Sequence, residues 1–111
     1  MAKNDYFVIA FKILAYLKAC LVEGEEPDLS IISAEELNIA PPYWEYIIKH
    51  LYADGYIEGL AFYRVVGRKE QAIKFTNLQI TPKGLEYLQE NSMMSKAKAF
   101  LKEIKEITPG F

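Results

Sequence analysis

The chain is poor in the residues from which catalytic and metal centres are made. It holds one histidine, His50, and one cysteine, Cys20, in 111 residues. A single histidine completes neither a two-histidine zinc site nor a His-based triad. A single cysteine forms no intramolecular disulfide, which fits a reducing cytoplasm, and Cys20 sits on an apolar helical face as a structural thiol. The six glycines are scattered at turns and build no phosphate-binding loop. The acid pairs Glu25/Glu26 and Glu35/Glu36 are chain neighbours, whose side chains do not face each other on a helix. Long apolar runs are lacking too: Lys12 and Lys18 interrupt the most apolar stretch, from Tyr6 to Val22, so no membrane span is expected. That stretch also lacks a basic leader and a small-residue cleavage site, so it is not read as a signal peptide. No enzyme activity, cofactor or metal is expected, and the location expected is cytoplasmic.

What is present is an ordinary globular composition, 51% hydrophobic and 25% charged, at the size of one domain. The net charge of −2 conceals an imbalance. Residues 1–60 carry four lysines against ten acids, whereas residues 61–111 carry nine Lys and Arg against five acids. A polyanion would prefer the second half, although a pI of 5.4 is not that of an avid DNA binder.

Apolar residues at helical spacing predict a first helix from Asp5 to Glu23, apolar on most of its circumference and therefore covered from two sides. Leu29–Ile32 is expected as a short strand. Ser33 with Glu36 three residues on predicts a capping box and a second helix over Ala34–Asn38. Asn38-Ile39-Ala40-Pro41 is expected to turn, and Pro42 suits the first turn of a third helix whose core stripe is Trp44, Ile47, Ile48 and Leu51. Asp54-Gly55 ends it. Two β-rich segments, Tyr56–Val66 and Ile73–Ile80, flank the polar Gly67-Arg68-Lys69-Glu70 and predict a hairpin. Thr81-Pro82 starts a fourth helix. Asn91-Ser92 is expected to interrupt it before a last helix over about Met93–Ile107, with Met93, Ala97, Phe100, Leu101, Ile104 and Ile107 along one side.

Helix, short strand, helix, turn, helix and ribbon is the order of an α+β winged helix-turn-helix. The segment ISAEELNIAPPYWEYIIKHLYADGYIEGL resembles that group closely, and ITPKGLEYLQEN resembles its post-wing helix. With SMMSKAKAFLKEIKEI included, nearly the whole chain resembles the small YjcQ-like family of Firmicutes and their prophages. The resemblance implies a three-helix core (about 5–91 with its wing), a two- to three-stranded wing sheet and additional C-terminal helices. It carries over no catalytic or binding residues.

In such a fold the third helix enters the DNA major groove and the wing meets phosphates. The outer face of helix 3 offers Tyr43, Glu45, Tyr46, Lys49 and His50, without the Arg, Asn or Gln that read base edges best. The ribbon offers Arg64, Arg68, Lys69 and Lys74 against Glu70, enough to neutralise a few phosphates. The expected nucleic-acid contacts are therefore Tyr43, Tyr46, Lys49 and His50 at the groove and Arg64, Arg68, Lys69 and Lys74 at the backbone of double-stranded DNA, as in a phage-related transcriptional regulator. Against this stands a protein-protein interaction module of the same fold. The C-terminal helix (92–107) is expected to pack on helix 1 of its own chain or on a second subunit, and a homodimer through helix 1 or the C-terminal helix fits either reading. The discriminating feature is the surface of helix 3 and wing: a continuous basic strip for DNA, a mixed aromatic patch for a protein.

Overall fold

A computed structural model of the chain describes residues 5–95, with side chains to residue 91. It is an α+β arrangement in the order of a winged helix: α1 (Tyr6–Glu23), a 3-10 turn (Leu29–Ile32), α2 (Ala34–Leu37), α3 (Pro41–Ala53), β1 (Ile57–Tyr63), β2 (Ala72–Ile80) and α4 (Pro82–Ser95). The core lies where α1, α3 and the base of the ribbon meet. Ile9, Ile13, Leu14, Leu17, Ile47, Ile48, Leu51 and Ile57 are its fully buried members.

Short-range chemistry sets the helix ends. Asp5 caps α1 by accepting from the Phe7 N–H at 2.8 Å. Ser33 caps α2 by accepting from the Glu36 N–H at 3.1 Å. Only this half of the expected capping box forms, because the Ser33 N–H donates to the Ser30 carbonyl instead. α1, α2 and α3 end alike, with Gly24, Asn38 and Gly55 at positive φ. In each, the next N–H reaches back five residues: Glu25 to Cys20, Ile39 to Ala34 and Tyr56 to Leu51. These are Schellman closures, which satisfy the last helical carbonyls.

Three expectations are corrected. Leu29–Ile32 is a 3-10 turn and not a strand. Asp28 Oδ1 takes both the N–H and the Oγ–H of Ser30, at 3.1 and 2.7 Å, and the Ile31 N–H turns back to the Asp28 carbonyl at 3.0 Å. This local bonding outcompetes a ladder, so the sheet has two strands. Helix α3 begins at Pro41 rather than Pro42. Nor do Asn91-Ser92 break α4: the Asn91 amide donates to the Tyr87 carbonyl at 2.8 Å, one turn back, and the helix continues to Ser95. The remainder of the expected last helix lies outside the described residues.

The ribbon is antiparallel, pairing Ile57 with Ile80 at its base and Tyr63 with Ala72 near its tip. Between Glu58 and Leu60 the register shifts: Gly59 alone on β1 stands against Thr76, Asn77 and Leu78 on β2. Gly59 has φ +87°, and a Cβ there would lie 1.8 Å from the Asn77 carbonyl oxygen. Only glycine fits this bulge. Gly67, at the wing tip, has φ +88° but nothing within 4 Å of its Cβ position. Gly59→Ala is expected to cost on the order of 3 kcal/mol, from backbone strain plus collision, while Gly67→Ala costs about 1 kcal/mol from strain alone. Thermal unfolding of the two variants checks this: equal losses would show that the bulge is not sterically closed.

Candidate interaction surface on α3 and the wing

The inner face of the ribbon rests on α3 through two edge-to-face aromatic pairs. Trp44 meets Phe75 with ring centroids 6.0 Å apart, and Tyr52 meets Phe62 at 5.4 Å. The indole N–H of Trp44 also donates to the Ile32 carbonyl at 2.7 Å, so this half-buried ring ties the ribbon, the 3-10 turn and α3 together. Seated there, the ribbon brings its tip over the outer edge of the helix. Arg68 Nη2 donates to Glu45 Oε1 at 3.0 Å.

Between the tip and α3 lies a groove of about 530 Å³, formed by Pro41, Pro42, Tyr46 and His50, with Lys49 and Arg68 set against Glu45 and Glu70. The formal charges of these four ionic side chains cancel. Tyr46 is 53% exposed and stacks on His50, with centroids 4.1 Å apart. His50 Nδ1 lies 2.9 Å from the Tyr46 carbonyl oxygen. A carbonyl only accepts, so the proton sits on Nδ1, and Nε2 is the acceptor of the neutral ring.

The structure thus gathers Tyr46, Lys49, His50 and Arg68 in one groove. Tyr43 is half-buried against the core. Arg64 and Lys69 are exposed beyond the strands, and Lys74 is exposed on β2 opposite Ala61. These four do not line the groove. Sequence reasoning did not single out Pro41, Pro42 and Glu70 as groove residues, nor the aromatic shelf beside it. Tyr6 packs edge-on against Tyr46 at 6.2 Å and against Phe7 at 5.2 Å, and Phe7 is 60% exposed. Beyond Tyr6, Tyr56 and Tyr87 pair at 4.9 Å, with the Lys83 ammonium 5.7 Å from the Tyr56 ring. The available signal was the excess of tyrosine, eight in the chain, but its clustering depends on helix packing.

A model of the YjcQ protein family matches residues 11–107. The chain belongs to the YjcQ protein family. No curated protein and no solved structure matches it. For this YjcQ chain the family match agrees with the resemblance drawn from its sequence and spans most of its length. Among the described residues, no helix is long and apolar enough to cross a membrane, and no group of three His, Cys, Asp or Glu side chains could hold a metal ion.

The shelf has its own electrostatics. Burial pushes the Tyr6 hydroxyl up to about 12, with help from Asp54 and the neighbouring tyrosines, and burial likewise raises Tyr43 and Tyr87. Below pH 10 these phenols are neutral in both folded and unfolded chains and the packing is intact. Above it the unfolded chain releases its Tyr6 proton first, so stability falls as pH rises from about 10 towards 12. Denaturant titrations across that range should show a steeper loss for the wild type than for Tyr6→Phe. Identical slopes would contradict a buried Tyr6.

Proposed function

We propose that this chain is a winged-helix interaction module that uses the groove between α3 and the wing tip to hold a protein partner. The observation that carries the reading is the Arg68–Glu45 contact. The wing's would-be phosphate-binding arginine is engaged by an acidic residue on the helix that would have to enter the major groove. A polyanion approaching α3 would meet Glu45 and Glu70 as well as Lys49 and Arg68, with little net attraction. A protein side chain would meet exposed aromatic surface: Tyr46 on His50, the prolines, and the Tyr6–Phe7 shelf nearby. Tyrosine-rich patches of this kind supply large contact area with few rotatable bonds. Catalysis has no place in this reading, since nothing in the groove pairs a nucleophile with a base.

A second reading draws on exposed Arg64, Lys69 and Lys74, namely nucleic-acid contact by the wing alone. Three neutralised phosphates would give a log-log salt slope of about −3, with sequence-independent binding.

An amide NMR titration of the isotope-labelled protein with duplex DNA of arbitrary sequence at low salt separates these readings. Interaction-module use predicts no shifts at Tyr46, Lys49 or His50. Salt-sensitive shifts there would overturn it in favour of DNA reading by α3, and shifts confined to residues 64–74 would establish the wing-only mode. In the positive arm, a protein retained from host extract by the wild type should be lost from a Tyr46→Ala, His50→Ala double variant of unchanged Tm.

A further inference from the structure

A second surface lies at the opposite end of α1. Leu21, Val22, Leu29 and Ile31 are all exposed, within eleven residues of chain. Leu21 joins Leu17 and Cys20 in lining a cleft of about 250 Å³, and Leu29 joins Phe75 in lining one of about 150 Å³. The two clefts share Glu26, Pro27, Asn77 and Leu78 and so form one groove between the end of α1, the following loop and the β2 bulge. The loop supplies an acidic rim: residues 23–28 hold Glu23, Glu25, Glu26 and Asp28 and no base. Hydrogen bonds from Ser30 hold the Asp28 carboxyl below its usual range.

The chain also contains a segment of complementary chemistry. Residues 96–107, KAKAFLKEIKEI, carry four lysines against two glutamates. Phe100, Leu101, Ile104 and Ile107 recur at helical spacing. The family match runs through this segment and stops at residue 107, the last apolar position of the row. An apolar floor with an acidic rim fits an apolar row flanked by lysines, since desolvated contact supplies affinity and the charges supply register.

Within one chain, α4 leads away from the groove, towards the first turn of α1. Tyr87, midway along α4, acts electrostatically on Tyr6 in the first turn of α1. The groove opens only from Leu17 onward, about 17 Å or more further along α1. A second copy meets no such constraint, and a two-fold axis would seat both segments at once. We propose that the groove of one protomer receives residues 96–107 of another, making the protein a reciprocal dimer with an acidic-to-basic seam. This use of the α1 end is independent of the α3 groove.

The test is a charge exchange in the full chain. One variant carries Glu23→Lys, Glu25→Lys and Glu26→Lys, all at exposed positions where folding should be unaffected, as circular dichroism would check. The other carries Lys98→Glu, Lys102→Glu and Lys105→Glu. Sedimentation equilibrium is expected to show wild-type dimer, each variant alone shifted to monomer by like-charge repulsion, and dimer restored when the two are mixed, because both seams are then complementary. Cys20, the only thiol and part of the groove floor, provides a second readout. Its labelling by a thiol reagent should slow as wild-type concentration rises and be several-fold faster in each variant alone. A wild type that stays monomeric would overturn the proposal. So would variants that dimerise unaided, a mixture that stays monomeric, or Cys20 protection independent of concentration, which would place the segment in its own chain.

Discussion

The site depends on the seating of the ribbon on α3. Two aromatic pairs, Trp44 with Phe75 and Tyr52 with Phe62, hold its inner face to the helix, and a knot at Thr81 holds its base. The Thr81 N–H donates to the Tyr56 carbonyl at 3.0 Å, and its hydroxyl donates to the Gly55 carbonyl. The same hydroxyl accepts from the Gly84 N–H at 3.1 Å, capping α4. One residue, through its backbone N–H and its hydroxyl, therefore fixes the end of α3, the entry to β1, the exit of β2 and the start of α4. With base and flank fixed, the ribbon carries its tip towards α3, and Arg68 reaches Glu45. That exposed ion pair is worth at most about 1 kcal/mol, so it reports the seating more than it causes it.

The functional consequence is electrostatic. A winged helix that reads DNA presents a basic helix and a basic wing as two arms of one surface. Here the arms carry opposite charges where they meet, Arg68 on the wing and Glu45 on α3. Their meeting leaves a groove whose ionic side chains cancel and whose remaining lining is Pro41, Pro42, Tyr46 and His50. A fold outlives its uses, so these side chains, and not the architecture, are what would choose a protein partner.

Much of the fold was legible in the sequence because the signals are local. Ser33, Gly55 and the cap that Thr81 places on α4 act within three to five residues, and Ile47, Ile48 and Leu51 show their face by spacing alone. The misplaced elements were also local but opposed to the broader pattern. Leu29–Ile32 has a β-branched end, yet one aspartate upstream bends it through two bonds to Ser30. Asn91 looks like a helix breaker until its side chain folds back on Tyr87. The site was half legible. Tyr46, Lys49 and His50 follow from helical phase, but the Arg68–Glu45 contact joins residues 23 apart in the chain through the geometry of the ribbon. No composition or spacing argument reaches that pairing, and it changes the sign of the reading at α3.

Backbone relaxation and side-chain NOEs for residues 64–71 in the free protein show directly whether the wing tip is docked on α3. A docked tip predicts amide order parameters near the rigid value of about 0.85 and contacts between the Arg68 and Glu45 side chains. Order parameters below about 0.6 with no such contacts would contradict the account. The tip would then be a mobile basic arm, and α3 would be open to phosphate after all.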